Sequence, residues 1–311
     1  MTAGVPPIPL PRQGADPDGF AADLGAAFER FGFAVIQDHG LPQDLLDAAS
    51  ADARAFFAMP EDVKRRYLIP GGAGQRGYTP FKVETAKGAD LADLKEFWHV
   101  GREVPDGHPL RPLIAPNVWP AEIPGFRASL GGLYAAMDAL GARLLSGVAR
   151  HLGLDPTYFD GAIRDGDSVL RLLHYPPVQG PQAAVRAAAH EDINAITLLL
   201  GAEEAGLELL DRDGQWLPVN PPAGSLVVNI GDMLQRATNH RLPSTTHRVV
   251  NPAPERASLA RYSMPFFLHF APDHLIRTLP GCADAGHPDR YPEPITARAY
   301  LEERLRELKL A

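Results

Sequence analysis

Residues His190 to Leu200 read HEDINAITLLL. The run from Ile196 to Leu200 is β-branched and leucine-rich, so the stretch reads as a strand. On a strand, residues two apart point to one face, with Cα atoms roughly 6.5 Å apart. The imidazole of His190 and the carboxylate of Asp192 would then reach a common ion above that face. Glu191 between them points the other way.

The surrounding chain has the same character. From Ser168 onward, SVLRLLHYPP, AITLLLG, GLELLD, GQWLPVN, SLVVNIGD, THRVVNP and RYSMPFFLHF are short β-rich segments punctuated by Gly, Pro, Asn and Asp. Asp213-Gly214 is a two-residue hairpin signal between GLELLD and QWLPV. Many short strands at this spacing predict a sandwich or barrel. Ahead of them the pattern is helical. Asp16-Pro17 opens an amphipathic helix with the stripe Phe20, Leu24, Ala27, Phe28 and Phe31, and Gly32 ends it. FAVIQDHG (Phe33 to Gly40) is a short strand, Leu41 to Met59 a helix stopped by Pro60, and Phe126 to Leu152 a long scaffold helix. Thr296 to Leu310 closes the chain as an amphipathic helix. The expected organisation is mainly β with flanking helices. A helix-and-strand region over 1–120 packs on a unit over 121–311 that holds the scaffold helix, the β core and the C-terminal helix, and the two form one compact body.

Composition narrows the class of function. The chain has 311 residues and 33.6 kDa, with 45% hydrophobic and 22% charged residues, enough to bury a large core. A formal net charge of -8 and a pI near 5.8 argue against a nucleic-acid or anionic-membrane surface. They suit a protein that handles a small-molecule substrate, as monomer or homodimer. A single cysteine, Cys282, cannot form an internal disulfide. The N-terminus lacks the pattern of a secretory signal, and no run of 18 or more apolar residues appears. A soluble, cytoplasmic protein is expected.

A metal held by His190 and Asp192 needs a third ligand. His247 in STTHRVV opens a β-branched run at a sheet rim, where a distant strand can close a site. Its rivals are His240 in a polar loop, and His174 and His269 within apolar strands. Arg261 and Ser263 in RYSMPFF again sit two apart and share a face. A guanidinium offers two parallel charge-assisted donors, so the pair suits a carboxylate. An arginine buried on so apolar a strand is costly unless it meets an anion, from the protein or from a ligand. Phe267 lies on the same face and would form an apolar wall beside the metal. In the front half, RGYTPFKVETAKGADLADLKEFWHVGRE mixes aromatic and charged residues. Tyr78, Lys82, Glu84 and Trp98 are its candidate substrate contacts, and Lys82 or Arg76 could meet an anion or simply be solvated at the surface.

The order His-x-Asp, distant His, Arg-x-Ser resembles the iron(II)- and 2-oxoglutarate-dependent dioxygenases, in the branch of isopenicillin N synthase and the plant flavonoid and hormone oxygenases. The resemblance spans nearly the whole chain: GFAVIQDHG, AFFAMPEDVKRRY, RLLHYPP, HEDINAITLLL, GDMLQRATNHRLPSTTHRVV and RYSMPFF. It implies a double-stranded β-helix, the cupin-like jelly roll, with the 1–120 segment as the dioxygenase N-terminal region. It further implies His190, Asp192 and His247 as iron(II) ligands, a set that leaves three coordination positions open. Arg261 and Ser263 would hold the distal carboxylate of 2-oxoglutarate, and Tyr175 would reach the cosubstrate or the substrate. Leu173 departs from the asparagine that plant members carry there. The implied reaction couples oxidative decarboxylation of 2-oxoglutarate by O2 to hydroxylation, desaturation or cyclisation of a small organic substrate. Retention of Asp192 argues against halogenation.

Two alternatives stand beside it. An oxidase of the same family would use iron and O2 without 2-oxoglutarate, with Arg261 and Ser263 on the substrate's own carboxylate. A zinc hydrolase would use the same three ligands and an activated water, but needs a general base that Glu191, facing away, does not supply.

Overall fold

The computed structural model describes residues 4–72, 74–84, 92–177, 185–200, 206–251 and 258–307. The N-terminal part runs β1 (Pro7–Pro9), α1 (Arg12–Ala15), α2 (Pro17–Phe31), β2 (Phe33–Gln37), α3 (Gln43–Phe57), α4 (Glu61–Lys64), β3 (Gly77–Thr79) and β4 (Glu96–Gly101). The middle holds α5 (Phe126–His151), α6 (Asp160–Ile163), β5 (Val169–Tyr175), β6 (Ala187–His190) and β7 (Ile196–Leu200). Then come β8 (Leu207–Leu210), β9 (Trp216–Pro218), β10 (Leu226–Ile230), α7 (Asp232–Ala237), β11 (His247–Val249) and β12 (Arg261–Leu268). The chain closes with β13 (Leu275–Ile276), β14 (Ile295–Thr296) and α8 (Ala297–Glu307). The predicted C-terminal helix is therefore present up to Glu307, and its last turn lies outside the described residues.

Local signals act where the sequence puts them. Asp16 caps α2, accepting from the Gly19 amide at 3.0 Å, with Pro17 in the first turn. Gly32 ends the helix in the left-handed region, at φ 67°, where a Cβ would be strained.

Two sheets form the core. The larger has the order β1-β2-β10-β7-β12-β5-β4-β3, and the smaller β6-β11-β8-β9. The strands of the N-terminal part thus supply both edges of the large sheet. Cross-strand register sorts its side chains into two faces. Trp98 pairs with Leu172, Leu170 with Phe266, Phe266 with Leu198, and Leu198 with Val228. All of these are buried in the main apolar cluster with residues of α2, α3 and α5. Helix α5 crosses this face closely. A Cβ on Gly141 would stand 2.2 Å from Leu268 Cδ1, so any larger residue there would have to displace that methyl.

The other face looks into the jelly roll. It carries Phe97 and His99 of β4, Arg171, Leu173 and Tyr175 of β5, and Arg261, Ser263 and Phe267 of β12. Thr197 of β7 and Asn229 of β10 continue the Phe267 row across the sheet.

One expectation is corrected here. His190 and Asp192 do not share a strand. β6 ends at His190 in the small sheet, and β7 begins at Ile196 in the large one. Residues 191–195 cross between the sheets, held by Asp232 N donating to Asp192 O at 2.7 Å and Ala195 N to Leu268 O at 2.9 Å. The two side chains converge because the chain turns a corner, not because a pleat repeats.

Candidate metal centre

The corner brings three ligands, two histidines and one aspartate, to one point. β11 pairs antiparallel with β6, His247 directly opposite His190, and the imidazole centroids lie 4.4 Å apart. The Nε2 atoms of His190 and His247 each stand 3.9 Å from an Asp192 oxygen. One ligand atom from each of the three lies within 4.8 Å of the others.

Each side chain is oriented by a second contact. His190 Nδ1 lies 2.7 Å from the Ala188 carbonyl, and His247 Nδ1 lies 3.1 Å from that of Thr245. A carbonyl only accepts, so both protons sit on Nδ1 and both Nε2 lone pairs face the centre. Asp192 Oδ2 accepts from Thr197 Oγ1 at 2.5 Å and Asn229 Nδ2 at 2.8 Å, which fixes the carboxylate with Oδ1 facing His190 and Oδ2 facing His247. The His247 ring packs edge-on against Phe33, centroids 5.5 Å apart.

The charge states suit a cation. Burial, and then the neighbouring His247, lower His190 to about 4, so its imidazole is neutral at neutral pH. Burial alone would raise Asp192, but the two histidines and the bonds from Asn229 and Thr197 outweigh it and keep the carboxylate ionised. Two imidazoles and one carboxylate, with no fourth protein ligand among the described residues, fit a divalent transition metal with open positions.

The rival histidines have other partners. His174 Nδ1 lies 2.7 Å from Glu96 Oε1, His240 Nε2 lies 2.5 Å from the Tyr291 hydroxyl, and His269 Nδ1 faces the Phe267 carbonyl at 3.1 Å. Glu191 is exposed and accepts from Thr246 Oγ1 at 2.9 Å. It offers no base at the metal, which removes the support a hydrolase would need.

Arg261 and Ser263 do share the interior face, 3.3 Å apart from Nη1 to Oγ. Tyr175 is the cross-strand partner of Arg261, and the guanidinium carbon sits 4.9 Å from its ring centre. Leu173, opposite Ser263, packs with Phe97 and Tyr175. Phe267 pairs with Thr197, the residue that orients Asp192.

The front segment divides. Tyr78 and Trp98 are cross-strand partners on the helix-facing side, both fully buried, and are therefore corrected as substrate contacts. Trp98 packs edge-on against Phe56 and Phe126, and the Tyr78 hydroxyl bonds Glu96. Their side chains lie beyond the sheet from Arg261 and Ser263. Lys82 is exposed beside Phe81. Arg76 is buried rather than solvated, bonded to Asp167 at 2.8 Å. Glu84 alone of the four joins the interior, accepting from Lys95 Nζ at 3.0 Å and Arg171 Nη1 at 3.3 Å. Burial would raise Glu84, yet Arg171 and Lys95 overcome it and hold the carboxyl far below its usual range. Sequence reading passes over Thr197, Asn229 and Arg171. Each is a polar residue inside an otherwise apolar strand, which is the signal that marks them.

Comparison with known proteins agrees with this architecture. Residues 5–122 match the model of the non-haem dioxygenase in morphine synthesis N-terminal region, and residues 166–270 match that of the 2OG-Fe(II) oxygenase superfamily. A 2-oxoglutarate-Fe(II) type oxidoreductase of Emericella nidulans is 36% identical, over 85% of this chain and 78% of its own. A proline hydroxylase of Petromyces alliaceus is 34% identical, over 93% of each chain. Among solved structures, a 2OG-Fe(II) oxygenase family protein from Caulobacter crescentus superposes with TM-score 0.93 at 56% identity, covering 99% of this chain and 100% of that one. A full-length Neurospora crassa protein, solved with alpha-KG and thymine, gives TM-score 0.86 at 29% identity over 97% of this chain and 96% of its own. No helix of the described residues is long and apolar enough to cross a membrane. The chain belongs to the 2OG-Fe(II) oxygenase superfamily, as a dioxygenase with a jelly-roll core that uses iron(II), 2-oxoglutarate and O2.

Proposed function

We propose that His190, Asp192 and His247 hold the iron(II), and that Arg261 and Ser263, with Tyr175 against the guanidinium, take the distal carboxylate of 2-oxoglutarate. The observation that carries this reading is the convergence of three ligand atoms within 4.8 Å inside the same jelly roll whose inner face bears Arg261 and Ser263. The bound iron supplies the redox centre at which 2-oxoglutarate and O2 give succinate and carbon dioxide while a substrate C–H bond is hydroxylated.

The chain's own residues do the rest. Thr197 and Asn229 fix the Asp192 carboxylate, and Ala188 and Thr245 fix both imidazole tautomers. Arg261 orients the cosubstrate through its fork, with Ser263 Oγ beside it. Phe267 and Glu84 line the substrate side, Phe267 as an apolar wall that keeps bulk water from the reacting centre. A small organic substrate is supported by the neighbours, among them the Neurospora crassa protein solved with thymine and a rice dioxygenase for auxin oxidation. We place the chain in the isopenicillin N synthase-like branch, on its N-terminal motifs, and in the cytoplasm.

The test is an anaerobic titration of iron(II) and then 2-oxoglutarate into the protein, followed in the visible spectrum. An absorption that needs both components is expected, and Arg261→Ala should weaken 2-oxoglutarate uptake while leaving the metal bound. Iron uptake without any response to 2-oxoglutarate would overturn the cosubstrate assignment.

A further inference from the structure

Beside the residues that hold the metal site, the inner face carries a guanidinium whose hydrogen bonding is incomplete. Arg171 on β5 pairs across the strand with His99 on β4. Its Nε donates to His99 Nε2 at 2.6 Å, and His99 Nδ1 lies 2.6 Å from the Gly74 carbonyl. The carbonyl requires the imidazole proton on Nδ1, so Nε2 is the acceptor and the ring is neutral. Arg171 Nη1 reaches the two Glu84 oxygens at 3.5 and 3.3 Å. Glu84 in turn accepts from Lys95, and Lys95 reaches Asp93 at 2.8 Å. The other Asp93 oxygen accepts from Ala188 N at 3.2 Å, and the Ala188 carbonyl is the one that orients His190. An unbroken polar chain therefore ties Arg171 to a histidine of the metal site.

Aromatic rings complete the setting. The Arg171 guanidinium carbon lies 4.3 Å from the centre of Phe97, on one neighbouring strand, and 5.2 Å from that of Phe267, on the other. Phe267 pairs with Thr197, whose hydroxyl holds Asp192. The second terminal nitrogen, Nη2, has no acceptor among the described residues, and 18% of the side chain stays open.

We propose that Nη2 of Arg171 anchors the substrate, and that it selects a small neutral molecule presenting a planar carbonyl oxygen, such as a cyclic amide or imide. This rests on the oxygenase reading of the site given above. Its charge logic is local. Glu84 already answers the charge of Arg171, and Asp93 with Glu84 answers that of Lys95. Hydrogen-bond donor capacity is left over, not uncompensated positive charge. A carbonyl oxygen uses that capacity without adding charge to a shielded interior, whereas a carboxylate would set a second anion beside Glu84. Flanking rings suit a planar group lying along the guanidinium plane.

Calorimetric titration of the full chain, loaded anaerobically with manganese(II) and 2-oxoglutarate, tests this. The probes are uracil, 2-pyridone and benzamide against their carboxylate counterparts orotate, picolinate and benzoate. At least one amide should bind tenfold or more tightly than its acid. Arg171→Lys, which keeps a charge facing Glu84 but loses the second terminal nitrogen, should weaken that amide roughly tenfold. It should leave 2-oxoglutarate binding unchanged. His99→Gln, which frees the guanidinium to rotate, should weaken it less and serves as the second variant if Arg171→Lys does not fold. Acids binding more tightly than amides, no binding by any amide, or an amide affinity indifferent to both variants overturns the proposal. Failure of the wild type to take up 2-oxoglutarate would overturn the site assignment instead, and this inference with it.

Discussion

The two faces of the eight-stranded sheet are built from the same strands and differ in almost everything else. The outer face presents Trp98, Leu170, Leu172, Leu198, Val228 and Phe266 to the helices, all essentially sealed from solvent. The inner face, one residue out of phase, presents His99, Arg171, Tyr175, Thr197, Asn229, Arg261 and Ser263. Because side chains alternate strictly along a strand, one backbone can serve a hydrophobic support and a polar site with no loop between them. The outer face sets whether the chain folds, and the inner face sets what the folded chain does. Substitutions on the two faces should therefore separate stability from chemistry.

The largest effect is expected at the centre of the inner side. Asp192→Ala removes one of three ligands, and turnover of 2-oxoglutarate should fall by on the order of 100-fold or more, the upper end of what loss of even an outer contact costs a metal site. Its thermal midpoint should stay near wild type. A large fall in midpoint together with retained turnover would break the division between the faces. Next comes the outer face. Trp98→Ala empties a fully buried indole site among Phe56, Phe126 and Tyr67 and should cost about 3–5 kcal/mol in denaturant unfolding. The fraction that remains folded should bind iron(II) normally. Weaker metal binding by that folded fraction would mean the faces are coupled.

A third substitution sharpens the contrast within one strand. Asn229 and Val228 are neighbours on β10 that face opposite ways. Asn229→Ala withdraws one of the two donors that hold Asp192 and should lower metal affinity roughly 10- to 100-fold. Val228→Ala should leave affinity alone and cost about 2 kcal/mol of stability. Equal metal affinity in the two variants would remove Asn229 from the site.

How much of this is legible in the sequence follows from which signals are local. The apolar, β-branched run LVVNI, the alternation in RYSMPFFL, the cap at Asp16 and the stop at Gly32 all depend on near neighbours, and the strands and α2 appear where those signals place them. Period-2 counting also puts Arg261, Ser263 and Phe267 on one face. It cannot say which face of β4 looks inward, because that depends on pairing with β5, some seventy residues away. Trp98 and Tyr78 look like substrate contacts in the sequence for that reason, while Phe97 and His99 hold the inward positions. The strand reading of His190 to Asp192 fails in a similar way. The crossover between sheets is held by contacts from β12 and α7, and nothing within HEDIN announces it. The Lys95, Glu84 and Arg171 network joins three separated segments and has no local signature beyond charge in apolar surroundings.

The smallest effect concerns pH and tests how closed the inner face is. Burial, then the adjacent Arg171, lowers His99 well below the usual imidazole range, with Glu84 only partly offsetting them. In the unfolded chain the same ring takes a proton near its ordinary value of 6.5. Between those two values the unfolded state binds the proton and the folded state does not, so stability falls as the solution is acidified. The stability that His99 contributes is thus fully present above pH 6.5 and shrinks below it, by about 1 kcal/mol at pH 5.5. Urea unfolding of wild type and His99→Gln at pH 7.5 and 5.5 isolates this share, because the variant keeps every other acid-sensitive group, His190 included. The wild type should lose about 1 kcal/mol more than the variant on acidification. An equal loss would mean that His99 is protonated in the fold, so that its Nε2 could not accept from Arg171 and the inner face would be more open to water than its hydrogen bonds imply.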